Sequence, residues 1–179
     1  IIHQRKKMLM AFAILLAALV SVGDLVIGTL YDQRYTEATW MMPILSSGIW
    51  FSILFFTISP ALLAIGKPLY TAQSNFARFV MIGVGLPLAF NNFGLIGVII
   101  AIAVSDLPLY IVNLYGLWRE KLSCFVQDIQ ATAFFAGILA IFLIIRTSLG
   151  YGLPIDTIFN NLEWKEKKLI HNVIYLLRI

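Results

Sequence analysis

Hydrophobic positions along this chain fall in long unbroken blocks rather than in alternation, and short polar stretches separate the blocks. Met8 to Leu30 holds 23 residues with Asp24 as the only charge, about 34 Å of α-helix at roughly 1.5 Å per residue and enough for one bilayer crossing. The polar stretch LYDQRYTEATW, Leu30 to Trp40, then reads as a short extramembrane hairpin loop. Met41 to Gly66 follows with 26 residues and no charge, a second crossing that must run back the other way. Continuing along the chain gives about five predicted spans, at 8–30, 41–65, 77–91, 94–117 and 130–149. Gly66-Lys67-Pro68 stops the second, because glycine releases a helix and proline cannot continue one. Pro87, beside Gly83 and Gly85, is expected to bend the short third span. Asn91-Asn92-Phe93-Gly94 supplies a compact turn into the fourth, since Asn and Gly tolerate the left-handed conformation.

Continuous apolar runs exclude the alternating strands of a transmembrane barrel, so the expected fold class is all-α, a polytopic transmembrane helical bundle. Composition agrees: hydrophobic residues make up 60% and charged residues only 12% of the chain, against about 25% charged in ordinary globular domains. The chain divides into a basic cytoplasmic lead-in at 1–7, the bundle at 8–150 and an amphipathic C-terminal tail at 151–179. Predicted inner segments carry Arg5, Lys6, Lys7, Lys67, Arg78, Arg119 and Lys121, whereas the outer loops before the last span carry Arg34 alone, which places the start in the cytoplasm. The formal net charge of +4 thus reflects topology and anionic headgroups; no basic stripe interleaved with aromatics points to nucleic acid.

At the span ends, Tyr115, Trp118 and Trp40 are expected as interfacial anchors, with Trp50 either another anchor or a packing residue, and Arg146 is expected to snorkel outward. Gly150, Gly152 and Pro154 end the bundle pattern. In the tail, apolar Leu169, Ile170, Val173, Ile174 and Leu177 follow a helical spacing behind Lys165, Lys167 and Lys168. Five spans from a cytoplasmic start leave these lysines outside, so either the tail is an outer interfacial helix or the span count differs. The abrupt opening on Ile-Ile-His-Gln-Arg-Lys-Lys, without a signal peptide, reads as part of a longer protein. Cys124, the single cysteine, forms no intrachain disulfide and joins no multi-ligand cluster.

The candidate chemistry lies inside the apolar blocks. Ser105, Asp106 and Pro108 fall mid-span, and a carboxylate there costs at least about 2.5 kcal/mol, so Asp106 faces the bundle interior or water. It either fixes a kink as a paired or neutral residue, or lines a polar pathway. Tyr110 and Asn113 follow on nearly the same helical face, a stripe that serves either a wet passage or hydrogen bonds between helices. Asp24, about two turns from its span end, lies within reach of penetrating water, and Arg78 is placed near the cytoplasmic mouth. Asp106, Tyr110, Asn113, Arg78 and Asp24 are therefore the candidate substrate-pathway residues. No metal site, cofactor or catalytic group is expected: His3 and His171 sit at opposite chain ends, and no acidic pair recurs at metal-ligand spacing.

One resemblance gives these features a direction. LYDQRYTEATWMMPIL, then a span, a GKP turn and LPLAFNNFGLIGVIIAIAVSDLPLYIV together resemble the C-terminal region of the polysaccharide and O-antigen flippases, within the multidrug/oligosaccharidyl-lipid/polysaccharide exporter superfamily, over roughly residues 10 to 125. The matching positions are Tyr35 and Ala38, Gly66 and Lys67, and Gly94, Gly97 and Ala101, while Asp32 stands where the wider family usually has Gly. The resemblance implies part of the second lobe of a two-lobe carrier in the bacterial inner membrane, moving polyprenyl-diphosphate-linked oligosaccharide from the cytoplasmic to the periplasmic leaflet by alternating access. The partners implied are lipid-linked oligosaccharide, membrane lipids, an N-terminal lobe of the same protein and polysaccharide-assembly enzymes. It implies no enzyme. The alternatives are a membrane-embedded glycosyltransferase or polymerase using the same substrates, and a structural or ion-coupled membrane subunit.

Overall fold

The computed structural model describes residues 2–31, 35–122, 124–154 and 156. Among them the chain is all-helical, with α1 at Ile2–Leu30, α2 at Thr36–Ala64, α3 at Pro68–Val104, α4 at Leu107–Arg119 and α5 at Phe125–Ser148. The expected tail helix and Arg34 lie outside the described residues. Apolar length explains the elements: in hydrocarbon every backbone N–H and C=O must be paired within the segment, which a helix achieves.

Four helical stretches are long and apolar enough to cross a membrane, not five, because the expected third and fourth spans belong to one 52-residue stretch, Pro68–Arg119. That stretch is bent double. Its backbone leaves helical dihedrals at Gly94, with φ 60° and ψ −144°, the last residue of the turn expected at Asn91–Gly94, while the helical dihedrals run on through Pro87, where a bend was expected. Thr71 hydrogen-bonds Asn113 and Arg78 pairs with Asp106, so the two arms run antiparallel away from the Gly94 break. A side chain at Gly97 would come within 2.5 Å of the Ala89 carbonyl oxygen, so the close approach of the two arms requires glycine there. A second, gentler interruption at Ser105–Asp106 coincides with Pro108, which has no N–H to offer the preceding turn.

The helices begin earlier than the apolar blocks do. α1 takes in the basic lead-in, α3 starts at Pro68 instead of 77, and α5 starts at Phe125 instead of 130. Two of the seven inner cations, Arg5 and Arg78, thereby move into the bundle, leaving Lys6, Lys7, Lys67, Arg119 and Lys121 at its basic end.

α2 is the hub, packed against α1, α3 and α4. On one side Leu9, Ala13, Leu16 and Ala17 of α1 meet Trp50 and Leu54 of α2 and Ala131 and Phe135 of α5. On the other, Ile58 and Leu62 of α2 meet Leu117 of α4. Trp50 stacks on Phe135 with ring centroids 4.7 Å apart and donates its indole N–H to Thr132 Oγ1 at 3.1 Å. Trp50 is thus a packing residue. Trp40 is buried as well, against its expected role as an anchor, whereas Tyr115 and Trp118 are exposed side by side near the end of α4.

Candidate functional site

Each carboxylate that the described structure buries in the bundle is held by an arginine. Asp24 and Arg146 form a two-pronged pair, Nη1 to Oδ1 and Nη2 to Oδ2 both at 2.6 Å, with side chains only 1% and 6% exposed. Arg146 also donates through Nη1 to the Ser21 carbonyl and through Nε to the Gly152 carbonyl at 2.6 Å. Arg146 therefore turns inward to α1 instead of snorkelling. Asp24, expected within reach of water and offered as a pathway residue, is a closed strut between α1 and α5.

The second pair joins the same two helices at their other ends. Arg5 donates to Asp128 Oδ1 at 2.5 Å, Thr57 Oγ1 at 3.2 Å and Gln127 Oε1 at 3.3 Å, and the Tyr110 hydroxyl donates to Asp128 Oδ2 at 3.0 Å. Arg5–Asp128 and Asp24–Arg146 fix α1 and α5 in parallel. Nineteen residues separate the two anchor points on α1 and eighteen on α5, about 28 and 27 Å of helix, close to the roughly 30 Å thickness of a hydrocarbon core. A spacing of that size suits two pairs set near the opposite edges of a hydrocarbon core, the depth at which a buried ion pair costs least to insert.

The third pair is open. α2, α3 and α4 enclose a groove of about 630 Å³ lined by Ser52, Phe56, Ser59, Thr71, Asn75, Arg78 and Asp106 among others. Arg78 Nε lies 2.9 Å from Asp106 Oδ1, and the Ser52 hydroxyl donates to Asp106 Oδ2. Here the arginine side chain is 43% exposed and that of the aspartate 16%. Thr71, Asn75 and Arg78 recur at helical spacing, so the stretch YTAQSNFAR, read from sequence as a polar lead-in, is the groove-facing side of α3. Arg78 consequently sits within the helix and not at the mouth where it was expected. On α2, five residues separate Ser52 from Thr57 at the level of the Arg5 cluster, which places the pair about 7 Å further into the bundle. Two other recesses, of about 350 Å³ beside Tyr35 and about 390 Å³ beside Pro154, have no charged lining residue.

The predicted stripe on the fourth span divides three ways. Asp106 faces the groove, as the cost of a lipid-facing carboxylate requires. Tyr110 turns to Asp128, and Asn113 is fully buried, donating to the Leu109 carbonyl of its own helix at 2.8 Å and accepting from Thr71 Oγ1 at 3.4 Å. Neither of the latter two lines the groove: positions four and seven residues on drift around the helix, and neighbours on both sides were waiting for their polar atoms. Sequence reasoning missed Ser52, Thr71, Asn75, Arg5 and Asp128. The spacing of 71, 75 and 78 was a usable signal for the α3 face; Ser52, an isolated hydroxyl in an apolar run, carried none.

Among the described residues no group of three His, Cys, Asp or Glu side chains converges on a metal-binding geometry. Fold and site together define an all-helical protein with membrane-spanning character and a polar, charge-bearing groove set into one half of its bundle. Comparison with protein-family models, with curated proteins and with solved structures yields no match.

Proposed function

We propose that this chain is a lobe of a bacterial inner-membrane carrier that moves polyprenyl-diphosphate-linked oligosaccharide from the cytoplasmic to the periplasmic leaflet by alternating access. The observation that carries the proposal is the partly exposed side chain of Arg78 inside an open groove whose mostly apolar walls, with Phe56, Pro60, Leu63 and Leu109 among them, also carry the Ser52, Ser59 and Thr71 hydroxyls, the Asn75 amide and the Asp106 carboxylate. A diphosphate headgroup cannot enter hydrocarbon unaided, and a carrier must replace its water with hydrogen bonds while the prenyl tail stays in lipid. Arg78 meets the anion, a forked donor suited to phosphate oxygens. Ser59, Thr71 and Asn75 offer hydroxyl and amide groups to the first sugar, and the exposed ring of Phe56 flanks the lipid side. At about 630 Å³ the groove lies within the roughly 300–1,000 Å³ of ordinary ligand sites, room for a headgroup and not for a whole glycan chain.

The groove lies toward the end of the bundle that carries Lys6, Lys7, Lys67, Arg119 and Lys121, which the positive-inside tendency assigns to the cytoplasm and hence to the loading side. The test is the leaflet location of lipid-linked oligosaccharide in cells lacking the full-length protein, read with a membrane-impermeant glycan probe on inner-membrane vesicles of known sidedness. Completed units accumulating on the cytoplasmic face are expected. Truncated or missing units would replace the carrier with an enzyme of glycan assembly, and a normal distribution would remove the proposal.

A further inference from the structure

Arg78 and Asp106 are paired in a way that leaves both partly uncommitted. Their nearest atoms, Nε and Oδ1, are 2.9 Å apart, yet both atoms are buried and neither takes part in a hydrogen bond. The contact is one of charge without the aligned N–H···O geometry that makes arginine–carboxylate pairs strong. The contrast with Arg146, whose fork meets both oxygens of Asp24, is direct. The terminal nitrogens of Arg78 donate no hydrogen bond to any described residue, and its side chain opens to the groove. Asp106 has a second holder: Ser52, on a different helix, donates to its other oxygen.

We propose that Asp106 is a built-in competitor for the anion that Arg78 receives. A phosphate-class anion entering the groove takes the free fork of the guanidinium in two parallel hydrogen bonds, and Asp106 falls back on Ser52. The carboxylate then faces the incoming anion across the same guanidinium, so binding is held below what Arg78 alone would give. A carrier needs that restraint, because a site must bind well enough to load and weakly enough to release. When the anion leaves, Asp106 recaptures Arg78, and the groove is never left with an uncompensated cation among apolar walls. The inference rests on the carrier reading for the identity of the natural ligand, but the competition itself concerns any phosphate-class anion.

The experiment measures binding of inorganic pyrophosphate to the purified full-length protein in phosphatidylcholine nanodiscs by titration calorimetry at low salt. Asp106→Asn is expected to bind roughly two- to fivefold tighter than wild type, the range set by releasing a partly exposed ion pair. Asp106→Ser gives the same direction and guards against a fold defect peculiar to Asn. Arg78→Gln abolishes binding, and Arg78→Lys, a point charge without the fork, weakens it. Unchanged or weaker binding in both Asp106 variants, no binding to wild type or Asp106→Asn, or retained binding in Arg78→Gln would each overturn the inference. A second arm places polyprenyl diphosphate in the nanodisc bilayer. Tightening there as well makes the lipid headgroup the ligand, whereas tightening for soluble pyrophosphate alone upholds the competition and removes the lipid-linked substrate from the proposed function.

Discussion

Replacing Asp24 by Asn is the most direct probe of how this bundle is held together. The substitution keeps the shape of the side chain and removes its charge, leaving Arg146 as a guanidinium only 6% exposed with no counter-charge. Of the four hydrogen bonds that Arg146 donates, two go to the Asp24 carboxylate and a third to the Ser21 carbonyl on the same helix, so the α1–α5 contact at this end depends on them. Removing one partner of a buried pair costs about 3–5 kcal/mol, most of it the penalty of stranding the other charge. At roughly 2–4 °C per kcal/mol for a chain of this size, the melting temperature falls by about 6–20 °C. The double substitution Asp24→Leu with Arg146→Met removes both charges and retains apolar volume, and it is expected to be more stable than either single replacement. The assay is SDS titration in mixed micelles followed by tryptophan fluorescence, to which buried Trp40 and Trp50 contribute. A single-substitution cost below about 1 kcal/mol, the value of a solvent-exposed pair, would refute the reasoning and return Arg146 to the snorkelling position that the sequence suggests.

Three further outcomes follow from the geometry. Gly94→Ala forces a Cβ into φ 60°, ψ −144°, a region reserved for glycine, and is expected to cost about 1–3 kcal/mol in the same titration; a neutral effect would mean the break lies elsewhere. Gly48→Leu drives a side chain into the Ala103 backbone, where α2 and α3 touch, and overpacking of this kind costs about 1–3 kcal/mol, read as loss of a monodisperse elution peak. In a Cys124→Ser background, cysteines placed at Lys67 and at Asn92 should react with an impermeant maleimide from opposite faces of oriented vesicles, since the stretch is bent double at Gly94; labelling from one face would unfold that hairpin.

Hydropathy located the apolar helices but not their ends, and it split one long stretch into two, for a physical reason. An apolar block reports which residues tolerate hydrocarbon, whereas a helix continues wherever its backbone bonds do and its polar residues find partners. Arg5, Thr71, Asn75 and Asp128 all lie on helical turns that the apolar blocks leave out, Arg78 lies at the very start of one, and each meets a group on its own or another helix. The intramembrane cost of Asp106 and Asp24 was legible from their positions alone. Their partners were not, because Arg146 follows Asp24 at a separation of 122 residues and nothing local marks the pair. The stripe on α4 failed for the opposite reason: the spacing of Asp106, Tyr110 and Asn113 was read as one face, while α2 and α3 hold Asp106, α5 holds Tyr110 and α3 holds Asn113.

The distribution of the ion pairs bears on how such a bundle would move. Two are closed, and they tie α1 to α5 at points about 28 Å apart, so that pair of helices behaves as one strut. The third lies among α2, α3 and α4, misaligned, partly exposed and shared with a hydroxyl. Rearranging a closed pair means stranding a buried charge, but rearranging the open one only trades Arg78 for a ligand while Ser52 keeps Asp106. Tyr110 on α4, bonded to Asp128 on α5, joins the two groups of helices near the basic end. Under the proposed alternating access, α3 and α4 should therefore pivot against an α1–α5 strut that stays intact. Tyr110→Phe removes that link while leaving Arg5–Asp128 in place, at a stability cost of about 0.5–1.5 kcal/mol. It is expected to raise amide hydrogen exchange along α4 with little change in α1. Equal acceleration in both helices would show that the bundle opens as a whole and that the division into strut and moving arm is wrong.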